Sequence, residues 1–187
     1  MDQHDTAYGC LFCRTGIEQH LADLIEYKCP DVCARAAMYV KHRTTHGVHR
    51  KEKQVFIPGY VFFRCGNDLH IPDQFPRDSS YRILKNESGD WRMFGRDYDF
   101  VQWLYSYDGL VGFSKAYEKD RRVYFLSGPI KDMEDQIVDV DRRGRSALIR
   151  TYFQNKCFKI WLGYDLVDLE DPTGNDQALP AGEDLEI

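Results

Sequence analysis

Apolar residues cluster first over residues 7–13, a short aromatic-rich run that predicts a β-strand. The period then changes: Ile17, Leu21, Leu24 and Ile25 recur at helical spacing and place one apolar face on a helix. Thr15 followed three residues later by Glu18 has the form of a capping box, so the helix is expected to begin there, and Pro30 with Asp31 ends it. Such a face needs a sheet to cover. Residues 36–40 read as one strand and residues 55–63 as its hairpin partner, interrupted by Pro58-Gly59. The polar residues 41–53 between them predict a long loop presented outward by two ordered strands.

Residues 66–80 are polar, contain Pro72 and Pro76, and predict irregular structure. Residues 82–84 fit a short strand, and Asp97 is placed to cap a helix over residues 98–107 with Val101 and Leu104 inward. Strand, helix, strand, strand, helix is the order of an α+β antiparallel sheet with flanking helices. Residues 114–120 carry no hydrophobic pattern and predict a linker between domains at 1–113 and 121–169. Beyond the linker come short strand-like runs at 122–126, 136–140, 146–150, 157–162 and 166–169, divided by turn residues. Five short strands in so small a span are expected to curl into a small barrel. Residues 170–187, rich in Gly, Pro and acid, predict a disordered acidic tail.

Charge changes this picture. The formal net charge of -5 argues against a nucleic-acid partner, but eight of the 30 acidic residues lie between Asp165 and Glu186, where there is no lysine or arginine. The rest of the chain is mildly basic. Lys41, His42, Arg43, His46, His49, Arg50, Lys51 and Lys53 crowd the expected loop against a single acid, Glu52, and a second cluster comprises Arg142, Arg143, Arg145 and Arg150. Either cluster can face phosphates or be a solvated loop.

Six cysteines raise the question of metal, and Cys10 and Cys13 have C-x-x-C spacing, with Cys29 and Cys33 as candidate further ligands. In a regular strand residues three apart point to opposite faces, so buried thiols are the reading preferred over a zinc site. No cofactor is expected. There is no phosphate loop, H-E-x-x-H, G-x-S-x-G or dinucleotide fingerprint, and Asp139 and Asp141, the one candidate carboxylate pair, sit beside Arg142 and Arg143. A binding protein is expected, and no catalytic residue is assigned. No run of eighteen apolar residues and no apolar leader follows Met1, so a cytoplasmic, membrane-free monomer is expected.

The run Tyr8-Gly9-Cys10-Leu11-Phe12-Cys13-Arg14-Thr15-Gly16, followed by an amphipathic helix and then Phe56-Ile57-Pro58-Gly59-Tyr60-Val61-Phe62-Phe63, resembles the N-terminal (NGN) domain of the NusG family of transcription elongation factors. Residues 111–115 and 123–131 resemble the join into that family's KOW domain, a small SH3-like barrel. Gly128-Pro129-Ile130-Lys131, residues 137–143 and residues 158–163 are most similar to the family's specialised LoaP branch. The resemblance implies operon-specific processive antitermination, with the N-terminal domain on the clamp helices of bacterial RNA polymerase and the barrel on an RNA hairpin. Tyr8, Phe12, Phe56 and Tyr60 are the candidates for an apolar polymerase-binding patch, and since strand alternation turns about half of them inward, at most two of the four are expected to touch polymerase. Upstream or non-template DNA would be met by the basic residues 41–53, and RNA by Lys131, Arg142, Arg143, Arg145, Lys156 and Lys159. Asp132 and Asp135 stand where the KOW pattern places glycines, adding acid near the expected RNA face.

Other readings remain open on the sequence. A general family member would join polymerase to a ribosomal protein or termination factor, and a ribosome- or mRNA-binding module would share the barrel without polymerase contact. An RfaH-like relative would hold its C-terminal part as a helical hairpin, but the β-rich runs and the turn residues Gly128-Pro129 and Gly144 favour strands.

Overall fold

The computed structural model describes residues 6–45, 48–67, 75 and 79–168, and over 42–45 and 48–50 the backbone alone. Strand β1 (Thr6–Cys13) lies at the middle of an antiparallel sheet in the order β2-β5-β1-β6, with β2 (Cys33–Ala36), β5 (Tyr60–Gly66) and β6 (Tyr81–Ile83). Alternation along β1 and β5 divides their side chains between two cores. Leu11, Cys13, Val61 and Phe63 pack beneath helix α1 (Glu18–Lys28) through Leu21, Ala22 and Ile25. Tyr8, Cys10 and Phe62 face the other way, toward Phe100, Val101 and Leu104 of helix α2 (Gly95–Ser106). Tyr105 pins α2 to the sheet, its hydroxyl set against the carbonyls of Cys33 at 2.8 Å and Phe62 at 3.1 Å.

Both helix starts differ from the sequence expectation. Ile17, not Thr15, sits at the N-cap of α1, with no side-chain cap. Glu18 is instead buried, and its two carboxylate oxygens accept from the amides of Gly16 and Gly59, each at 2.8 Å. Half of the capping box survives, one residue displaced, because the other oxygen is taken by the Pro58-Gly59 turn from a distant part of the chain. Asp97 lies inside the first turn of α2 and accepts from the backbone and side chain of Gln154.

The expected loop over 41–53 is a ribbon. Strands β3 (Met38–Thr45) and β4 (Val48–Val55) pair without a break from Met38↔Val55 to Thr45↔Val48, and β7 (Leu110–Val111) adds to β3 in parallel. A two-stranded ribbon satisfies its backbone whatever its side chains, so it needs no apolar alternation and leaves none to read. Its ladder ends before Pro58-Gly59, and β5 leaves for the first sheet.

The expected linker is also structured. Residues 114–119 form β8 (Ser114–Lys119), which pairs with β9 (Arg122–Ser127) across Asp120 and Arg121, both at positive φ, and in parallel with β12 (Lys156–Leu166). With β10 (Ile137–Asp141) and β11 (Ser146–Phe153) they make a five-stranded sheet, β10-β11-β12-β8-β9, so four expected strands stand and β8 replaces the fifth. Ser114 and Ala116 face the core, and such small side chains give no hydrophobic signal. A short helix α3 (Pro129–Asp132) and a 3-10 turn (Glu134–Gln136) join β9 to β10. The expected separate strand over 166–169 does not form within the described residues: Leu166 ends β12 and residues 167–168 are not strand, while residue 169 and the tail 170–187 lie outside the described residues.

The architecture is a sheet-rich α+β fold with few helices and a curled C-terminal sheet. One hydrophobic cluster runs through both parts. Phe153, at the end of β11, is fully buried with its ring 5.3 Å from Tyr60, 5.0 Å from Phe62 and 5.7 Å from Phe100. No helix among the described residues is long and apolar enough to cross a membrane.

Candidate nucleic-acid interface

The basic residues of the 41–53 segment sit on β3 and β4. Cross-strand pairing sets Lys41 opposite Glu52, His42 opposite Lys51, Arg43 opposite Arg50 and Val40 opposite Lys53. His49 pairs with Thr44, and His46 lies outside the described residues. In this register two consecutive pairs, His42↔Lys51 and Arg43↔Arg50, contain no acidic residue. Lys51 places its ammonium 4.7 Å from the centre of the Phe113 ring. That ring lies against Gly163 of β12 so closely that a Cβ there would stand 2.0 Å from it. Lys51, Phe113 and Gly163 thus join the ribbon to the C-terminal sheet.

The structure separates the six expected RNA contacts. Lys131, on α3, pairs with Glu134. Lys156, the first residue of β12, donates to the Tyr60 hydroxyl at 3.0 Å and sits over its ring, so it fastens the two sheets together. Arg142 pairs with Glu118 at 3.0 Å. Arg143 and Arg145 are exposed in the β10–β11 turn, which Asp141 organises by accepting from the amides of Arg143 and Gly144. Asp139 is similarly engaged with the amide of Val140. Lys159 projects from the outer face of β12.

Arg145 and Lys159 meet Lys41 of the ribbon in one groove of about 450 Å3, where the base of the ribbon faces β11 and β12. Tyr39, Phe158 and Trp161 supply aromatic wall, and among the described residues no carboxylate lines it. Trp161 is 40% exposed, on the same outward face of β12 as Lys159. Sequence reasoning missed this composite. Its only local signal is Lys159-x-Trp161, a cation and a large ring at strand spacing on the side of β12 away from the core. Asp132 and Asp135 do not line the groove. They border a separate cavity of about 470 Å3 beside Trp103, where Asp132 accepts from the Tyr107 hydroxyl. Burial, then this carboxylate, hold the Tyr107 phenol above its usual range.

The four candidate polymerase contacts are mostly covered. Phe56 is buried against Phe100 and Trp103, and Tyr60 lies beneath Phe153 and Lys156. Tyr8 sits between Tyr98 and Tyr105, and burial raises its phenol above the usual value. Phe12, 36% exposed at the edge of the same face, is the one of the four that reaches the surface, stacked by Arg82 and edge-on to Tyr60.

Cys10 and Cys13 fall in the two different cores, on opposite faces of β1. Burial raises the Cys10 thiol well above its ordinary value and pushes Cys13 up to about 11. Among the described residues no three His, Cys, Asp or Glu side chains gather to hold a metal ion. No family model matches this chain, and no curated protein matches it significantly.

Proposed function

We propose that this chain is a transcription antitermination factor of the NusG type, nearest the LoaP branch, that tethers to RNA polymerase through an NGN-like sheet and touches nascent RNA or upstream DNA through the ribbon and a KOW-like barrel. The observation that carries the reading is the position of Phe56-Ile57-Pro58-Gly59-Tyr60-Val61-Phe62-Phe63. This run turns the basic ribbon into the central aromatic strand of the first sheet, and a basic segment joined to an aromatic sheet at one turn supports the reading of a nucleic-acid arm beside a docking face. Tethering needs no bond chemistry. Burying aromatic area at about 25 cal/mol per Å2 supplies attachment, and cationic arms position the complex on phosphates without reading sequence.

The arrangement imposes an order of events. Tyr60, Phe62 and Phe100 are occupied by Phe153, so a partner that needs this face displaces the β11–β12 turn, while Phe12 offers a first contact. The test is co-purification with core RNA polymerase of the wild-type chain, Phe12→Glu and Phe153→Ala. Retention of the wild type, loss with Phe12→Glu and stronger retention of a folded Phe153→Ala are expected. No retention of any of the three removes the polymerase reading.

A further inference from the structure

We infer that the groove between the ribbon base and the C-terminal sheet binds an unpaired RNA strand, with one base stacked on Trp161 and phosphates on Lys41, Arg145 and Lys159. The inference deepens the nucleic-acid half of the proposed function and does not depend on the polymerase half.

Charge complementarity identifies the occupant. In a chain of net charge -5, this groove gathers three cations and, among the described residues, no acid. None of the three forms an ion pair among the described residues, whereas Lys131 and Arg142 are each engaged with a glutamate. Lys41 and Glu52 are opposite each other across the ribbon, but Glu52 does not line the groove. Interleaved cations and aromatic rings are the chemistry of single-strand recognition, because every unpaired base offers a face to stack and every linkage a phosphate to neutralise. Trp161 supplies the stacking surface: it stands beside Leu148 in the ladder, away from the core, with two-fifths of its surface in solvent.

Size excludes a duplex from the groove. A volume of about 450 Å3 accommodates one or two nucleotides, and paired bases are stacked on one another and closed to an indole ring. Ser146 also lines the groove, and a serine hydroxyl, both donor and acceptor, suits a ribose 2′-hydroxyl, the group that distinguishes RNA from DNA. The site exists only while the ribbon and the barrel face each other, so a bound strand would hold the two parts together.

The test is fluorescence anisotropy of the full chain with a labelled oligouridylate of about ten nucleotides, the matching deoxy strand and a blunt RNA duplex. Trp161→Ala is expected to weaken oligouridylate binding roughly 5- to 150-fold, the range of a lost base–aromatic stack, while Trp161→Phe retains most of it. Arg145→Gln with Lys159→Gln should flatten the salt dependence by about 1.4 in slope, and Lys115→Gln, at an exposed position of β8, should leave binding unchanged. Unaltered affinity in a folded Trp161→Ala variant, preference for the duplex, or tighter binding of the deoxy strand overturns the proposal. Polymerase retention without oligouridylate binding overturns the groove alone; oligouridylate binding without retention leaves the groove and removes the tether.

Discussion

Glu18 shows how one buried carboxylate acts across the chain. It accepts from Gly16 at the start of α1 and from Gly59 at the foot of β5, so removing it strands two amides. Glu18→Ala is expected to cost about 2–3 kcal/mol in urea unfolding, with Glu18→Gln milder because one acceptor oxygen remains. The thiols give a second residue-level prediction. Cys10, Cys13, Cys29 and Cys33 are all raised by burial, while Cys157 is exposed, so a thiol reagent at mildly alkaline pH should modify Cys157 fast and the others slowly. Cys157→Ser should remove the fast phase. For Cys13 the folded value of about 11 exceeds the ordinary 9.0, so the unfolded chain loses its proton first as pH rises. Stability from this thiol is therefore intact below pH 9.0 and declines toward about 11, which unfolding measured at several alkaline pH values would record.

At the scale of elements, the turn at Pro58-Gly59 decides where the ribbon stops. Gly59 has φ +84°, and a Cβ there would stand 3.2 Å from the Cys13 carbonyl oxygen. Gly59→Ala combines a left-handed backbone with this contact and should cost more than about 1 kcal/mol, lowering the melting temperature by at least about 2–4 °C. Two kinds of strand were legible in the sequence: β1, a short apolar run buried on both faces, and β11, where Ile149 and Phe153 alternate with Arg150. The ribbon and β8 were not. Ribbon residues such as Lys41 and Lys53 leave no apolar period, and the inward residues of β8 are Ser114 and Ala116.

For the whole molecule, Phe153 is the joint between the two sheets. It is surrounded by Tyr60, Phe62 and Phe100, with Gln154 on Asp97 and Lys156 on Tyr60 closing around it. Phe153→Ala should cost about 3–5 kcal/mol. Because the cluster is continuous, wild-type thermal unfolding should be one transition by both tyrosine fluorescence and far-UV circular dichroism; the weakened variant should separate into two. A single transition in the variant would mean that the C-terminal sheet has no stability apart from the first.

The sequence by itself determined the local identities: strand at 7–13, a helix before Pro30 though not its exact start, strands over 122–162, and the inventory of basic clusters. Those follow from side-chain period, turn residues and charge, all of which act within a few residues. Tertiary structure alone decided that the 41–53 segment is a paired ribbon, that Glu18 reaches Gly59, that Tyr60 is hidden under Phe153, and that Lys41 shares a groove with Arg145, Lys159 and Trp161. Each of these joins residues about 40 to 120 positions apart or pairs backbone whose side chains carry no pattern. Such juxtapositions come from how sheets pack, which no local periodicity encodes.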